Sequence, residues 1–273
     1  MVEAPNRPRT ELAKFFALAV GTTWLFWIPD ALGKRGVLPD VVWTNLGFFG
    51  AWGPLVAALY LVARQEGWSG IKSLLKRGMD FRFGKRWWLV ALAVFPVVIS
   101  TAYVISIWTE GVVPPSEARG QYWFLPLIFF AVLFTGGPLQ EEFGWRGYAL
   151  PRLQDMYSPF VSSLILGFAW AIWHLPQFLV PHEKTGMFYI TPVWSFILTV
   201  MAASFVYTWV YNHTAGSVLG SLVLHTQMNL SFWVFPVLYT GNGHLWVLGL
   251  FAVTAAVVVL SSPRSWLVRG GAR

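Results

Sequence analysis

The chain has 273 residues, of which 56% are hydrophobic, 18% aromatic and only 11% charged, against about 25% charged in soluble domains. That balance excludes an ordinary soluble globule and indicates an all-α polytopic membrane protein; at about 20 residues per span it has room for roughly eight transmembrane helices in a single integral membrane domain, residues 1–273. The net charge of +7 has no basic run interleaved with exposed aromatics, which argues against nucleic acid and for membrane lipid headgroups as partners, and zero cysteines exclude disulfides, a thiolate nucleophile and cysteine metal ligands.

The first dozen residues, with Arg7, Arg9 and two prolines, form a basic polar tail. The apolar run 15–29 follows without a small-x-small cleavage site and reads as a retained first span. Residues 41–63 are the second, and Gly50, Gly53 and Pro54 predict a bend or a close helix contact within it. Over 68–79 the apolar Trp68, Ile71, Leu74, Leu75 and Met79 recur at helical spacing among Lys72, Lys76 and Arg77, the pattern of an amphipathic helix on the membrane surface. Residues 87–108 are the third span, with Pro96 as a kink, and 109–120 is a loop. The fourth, 122–148, is longer than a bilayer requires and ends at Pro151. Residues 159–180, 192–211, 216–239 and 245–260 complete the eight. The compartment holding both tails and the even loops carries 15 of the 19 Lys and Arg, the other side 4. The positive-inside rule therefore places both termini in the cytoplasm.

The fourth span ends in QEEFGWRGYALPRL, residues 140–153. It sets Glu141, Glu142 and Arg146 at the edge of the bilayer or inside it, where an isolated charge costs at least a few kcal/mol. On a helix Glu142 and Arg146 lie about 40° apart and Glu141 and Arg146 about 140° apart. Glu142 thus has a local counter-ion and Glu141 has none. Glu141 shares a stripe with Gly137, Gly144 and Tyr148, whose glycines let another backbone come close.

His174 stands in the fifth span, and His225 and Asn229 share one face of the seventh at i and i+4. Measured from the cytoplasmic ends, these groups and Glu141 lie roughly 7 to 15 residues in, or about 10–22 Å deep on a 1.5 Å rise. Three helices can bring them together. A lone membrane histidine is often only an interhelical hydrogen-bond partner, and Arg146 is explained as the clamp of Glu142; Glu141, without a cation, is the group that structure alone explains least. His182, Glu183, His213 and His244 fall in loops or at span ends, where water explains them. The tryptophans read as interfacial anchors and packing.

A carboxylate, two imidazoles and a carboxamide suit hydrolysis by activated water: a carboxylate or His accepts the water proton, and His and Asn donate to the oxyanion. The sequence has no HExxH zinc helix, since HEKTG from His182 lacks the second histidine; the four Asp lie at span ends or in loops, and no serine motif with a matched histidine is evident. The chain resembles the CPBP intramembrane proteases, the group of type II CAAX prenyl endopeptidases and of bacteriocin-processing or immunity proteins. Their motifs EExxxR, FxxxH and HxxxN/D correspond to Glu141, Glu142 and Arg146, to Trp170 and His174, and to His225 and Asn229. The resemblance covers roughly 124–229, and Trp170 stands where the family usually has Phe.

The resemblance implies an eight-helix endopeptidase acting on a membrane-associated peptide or lipidated protein. Glu141 and His174 would activate water, and His225 and Asn229 would hold the oxyanion. Glu142, Arg146 and Trp170 would support them. No cofactor is expected; if zinc is present, Glu141, His174 and His225 are its ligands, with a water in the fourth position. Two other readings stand beside this one: a scaffold or bacteriocin-immunity protein that binds a peptide without cutting it, and a proton-coupled transporter, which predicts inverted repeats that the sequence lacks. Short loops and the charge bias suggest a bacterial plasma membrane.

Overall fold

The computed structural model describes residues 7–39 and 47–267, all helix, turn or loop, with no strand among them. The long helices are α1 (Arg7–Lys34), α2 (Gly53–Arg77), α3 (Lys85–Glu110), α7 (Pro159–Trp173), α8 (Val193–His213), α9 (Val218–Val234) and α10 (Gly243–Ser261). Between α3 and α7 run three short helices, α4 (Leu125–Thr135), α5 (Pro138–Gly144) and α6 (Leu150–Gln154). Helix is the only open-chain answer to a bilayer interior, because every backbone N–H and C=O must be satisfied within the segment. Many of the largest apolar side chains point outward, as lipid-facing residues must: Leu127 is 67% exposed, Trp108 84% and Trp123 92%.

Among the described residues five helices, α1, α3, α7 with its extension, α8 and α10, are long and apolar enough to cross a membrane, and the bent pair Tyr122–Thr135 and Pro138–Gln154 makes a sixth if it is one span. The expected count of eight is therefore not reached by length and apolarity. Two expected spans account for the difference. Residues 41–46 of the second lie outside the described residues, and its helix, α2, runs on into charged sequence. The seventh, α9, has only 17 residues and carries His225, Gln227 and Asn229, so the residues that make it interesting also lower its apolarity.

The amphipathic segment expected over 68–79 is helical through Arg77, as the second half of α2, and is set off by Gly67, whose φ of 65° and ψ of −156° interrupt the helix. Only glycine takes that conformation without strain. Leu74 is buried, while Trp68, Leu75 and Met79 are exposed. Its last residue, Arg77, donates to the carbonyls of Gly147 at 3.0 Å, Gly216 at 3.2 Å and Arg146 at 3.4 Å, and to the Tyr211 hydroxyl at 2.6 Å. The close contact predicted around Gly53 is also found: a Cβ there would meet the Ala19 carbonyl oxygen at 2.5 Å.

Polar side chains stitch the bundle where apolar burial gives no directional force. Thr23 of α1 donates to Gly50 O at 2.7 Å and accepts from Trp173 Nε1 at 2.6 Å. Ser163 of α7 donates to Thr208 of α8 at 2.8 Å. Asp30, expected at a span end, lies inside the longer α1, buried and ion-paired to Lys34 at 2.8 Å. The most enclosed large side chains, Trp145, Trp170, Trp173, Arg146, Tyr148 and Tyr207, surround the charged segment of α5.

Candidate active site

The sequence Gly136-Gly137-Pro138 ends α4 and starts α5 in a new direction, bent by 48°. Gly137 has φ of +109°, outside the range of L side chains, and Pro138 sits in the first turn of α5, where its missing N–H costs nothing. A Cβ on Gly137 would lie 2.7 Å from Glu141 Oε1, so the glycine also leaves room for that carboxylate.

Glu141 is 5% exposed, and its Oε2 accepts from Trp170 Nε1 at 2.6 Å. Glu142 points elsewhere. Its Oε1 accepts from Arg146 Nη1 at 2.8 Å and from His225 Nδ1 at 2.8 Å, with the Glu142 and Arg146 side chains fully buried. The guanidinium lies between two aromatic faces, 3.9 Å from the Tyr207 ring centre and 4.4 Å from that of Trp170, which present negative charge to it. The predicted separation of the two glutamates therefore holds: one is tied into a buried ion pair and the other is not.

The predicted stripe divides. Gly137 and Glu141 face the site, but Gly144 and Tyr148 face α1 and α2. A Cβ on Gly144 would be 2.5 Å from the Pro54 carbonyl oxygen, and Tyr148 stacks on Phe15 at 5.1 Å and accepts from Gln65 Nε2 at 2.9 Å. Trp145–Ala149 is a π turn, a local widening often found at functional positions, which sequence spacing does not announce.

His174 caps the C-terminal end of α7, with Nδ1 2.8 Å from the Trp170 carbonyl oxygen. A carbonyl only accepts, so Nδ1 carries the proton and a neutral ring has its lone pair on Nε2. The same logic fixes His225, whose Nδ1 donates to Glu142. Asn229 Nδ2 donates to Gly136 O at 2.9 Å, bracing the break between α4 and α5 and keeping a second N–H.

Glu141, Trp170, His174, His225 and Asn229 all line one cavity of about 150 Å³. Glu142 and Arg146 stand behind it. The residues singled out in the sequence thus converge, and the structure adds three features that their spacing does not carry. Trp170, which stands where Phe is usual, uses the N–H that Phe lacks to hold Glu141. His225 is bonded to the structural glutamate. Tyr189 and His244 line the same cavity; Tyr189 comes from an aperiodic 3-10 turn with no sequence signal, and His244 was assigned to solvent because it starts a span. Among the described residues no three His, Cys, Asp or Glu side chains group as metal ligands.

Residues 123–231 match the type II CAAX prenyl endopeptidase Rce1-like domain. Over 265 residues the chain is 22% identical to a CAAX prenyl protease 2 of Methanococcus maripaludis, with 94% of this chain and 96% of that protein covered. All three motifs lie inside the matched stretch and five of their side chains line one cavity, so residues 123–231 are similar to the type II CAAX prenyl endopeptidase domain both in motif pattern and in where the motifs meet.

Proposed function

We propose that this membrane protein is an endopeptidase that cleaves membrane-associated or lipidated peptides with a water activated by Glu141. The observation that carries this reading is the division of labour between neighbouring glutamates: Glu142 is ion-paired and shared with His225, whereas Glu141 lines the cavity with one oxygen bound to Trp170 and the other accepting from no described residue. Water held between that oxygen and His174 Nε2 gives its proton to Glu141 as its oxygen attacks the scissile carbonyl carbon. The second N–H of Asn229, and His225 when its ring carries both protons, stabilise the oxyanion. The intermediate then collapses, the C–N bond breaks, and the proton passes from Glu141 to the leaving amine.

Glu142 and Arg146 act through position, fixing the His225 ring by its Nδ1–H. No step passes through a metal, and none of the residues present is assigned to hold one. Prenylated CAAX-type peptides are the first substrates to test, on the strength of the relative's name. The purified protein in lipid vesicles should cut an internally quenched prenylated CAAX-type peptide at one bond, identified by mass spectrometry, with a rate unchanged by exhaustive chelation. Absence of cleavage, or cleavage that chelation removes and zinc restores, overturns the mechanism. The orientation proposed from the Lys and Arg distribution is checked by reporter fusions, which read cytoplasmic after Arg86 and extracytoplasmic after Arg119.

A further inference from the structure

The oxyanion site as drawn from the motifs is short of donors. Asn229 has one N–H committed to Gly136 O, and His225, with its proton held on Nδ1 by Glu142, offers a lone pair at Nε2 unless the ring gains a second proton. The cavity contains another candidate. Tyr189 lies on the 3-10 turn Met187–Ile190, in the connection between α7 and α8, and lines the same cavity as Glu141, His174, His225 and Asn229.

Its ring is held on several sides. The centroids of Phe178, Phe196, His174 and Phe188 lie 5.3, 5.8, 6.1 and 6.3 Å away, and packing of this kind fixes the direction of the phenol O–H. Tyr189 is half-buried, and its hydroxyl makes no hydrogen bond with any described residue, so its O–H is available to a ligand in the cavity. Burial, with the Glu141 carboxylate nearby, pushes the phenol up from its ordinary range. The group therefore stays protonated and serves as a donor at any working pH.

We infer that Tyr189 is a catalytic residue whose hydroxyl, together with Asn229, donates a hydrogen bond to the oxyanion formed on the scissile carbonyl. This assignment rests on the endopeptidase reading and adds to it the donor that the three motifs do not contain. As the water oxygen bonds to the carbonyl carbon and its proton moves to Glu141, the C=O π pair moves onto oxygen. Tyr189 hydrogen-bonds that oxygen and keeps its own proton. On collapse the pair returns, the C–N bond breaks, and Glu141 delivers its proton to nitrogen. The hydroxyl is chemically unchanged across the cycle.

Tyr189→Phe removes the donor and keeps the ring. With the internally quenched prenylated CAAX-type peptide, kcat is expected to fall about 100-fold, the usual effect of losing one preorganised oxyanion donor, while KM stays within two-fold and thermal stability is unchanged. A phosphinate analogue of the same peptide, tetrahedral and anionic at the scissile position, should lose a similar factor in binding, because the contact belongs to the transition state. A kcat and a phosphinate affinity both within two-fold of wild type overturn the assignment and leave the protease reading standing. A loss that appears in thermal stability and KM instead makes Tyr189 a packing residue and also overturns it. If the wild-type protein neither cuts the peptide nor binds the phosphinate, the endopeptidase reading itself falls and this assignment falls with it.

Discussion

Leu125–Thr135 and Pro138–Gln154 follow one another across two glycines, and they treat burial in opposite ways. α4 is almost wholly apolar and has no buried residue; α5 and the π turn after it hold two glutamates and an arginine, and every one of their residues except Leu139 is buried. In a soluble protein the apolar helix would be core and the charged one surface. Here lipid solvates α4 at no cost, so apolarity earns it no place inside. The interior is instead reserved for groups that lipid cannot solvate, which stabilise each other by pairing.

The largest effect should come from the unpaired member of the charged segment. Glu141→Gln nearly preserves shape but cannot accept a proton, so turnover of the peptide is expected to fall by about 10³ or more, with detergent-phase thermal stability almost unchanged. Near-normal turnover in that variant, alongside an inactive but stable Glu142→Gln, would reverse the roles of the two glutamates. Arg146→Ala strands the buried Glu142 carboxylate and should cost about 3–5 kcal/mol in stability, read by thermal or denaturant unfolding. Glu142→Gln should weaken folding less and lower turnover in part, because His225 loses its anchor.

Next in size is the fit of the buried segment against its neighbour. Gly144→Ala drives a methyl group into the Pro54 carbonyl and should destabilise by about 1–3 kcal/mol. The apolar half should hardly respond: Phe134 in α4 is 53% exposed, and Phe134→Ala is expected to stay within about 0.5 kcal/mol. Equal costs for Gly144→Ala and Phe134→Ala would erase the contrast between the two halves.

The sequence conveyed the helical class, the break before residue 68 and the polar side chains that meet on one cavity, because each leaves a local mark: an apolar run, a change of period, or a charge where none should be. It did not convey how the members pair. Nothing in the spacing of Trp170 says that its indole reaches Glu141, and nothing in His225-x-x-x-Asn229 says that one bonds Glu142 and the other a glycine carbonyl 93 residues earlier. Those contacts are set by how helices meet. Tyr189 was hidden for another reason, since a short 3-10 turn has no periodicity to read. Length and hydropathy by themselves do not count eight spans among the described residues, because α9 is short and carries polar residues that lower its apolarity.

Arg77 gathers four acceptors from three separate segments with one planar guanidinium. A rigid fork of that kind does not let one partner rotate while the others stay in place. In mechanical language the second half of α2 is geared to the shaft that carries Arg146, and Gly67 is the compliant coupling on its other side. A substitution that tilts the second half of α2 is therefore expected to displace the turn of Arg146 and Gly147 as well as Gly216 and Tyr211.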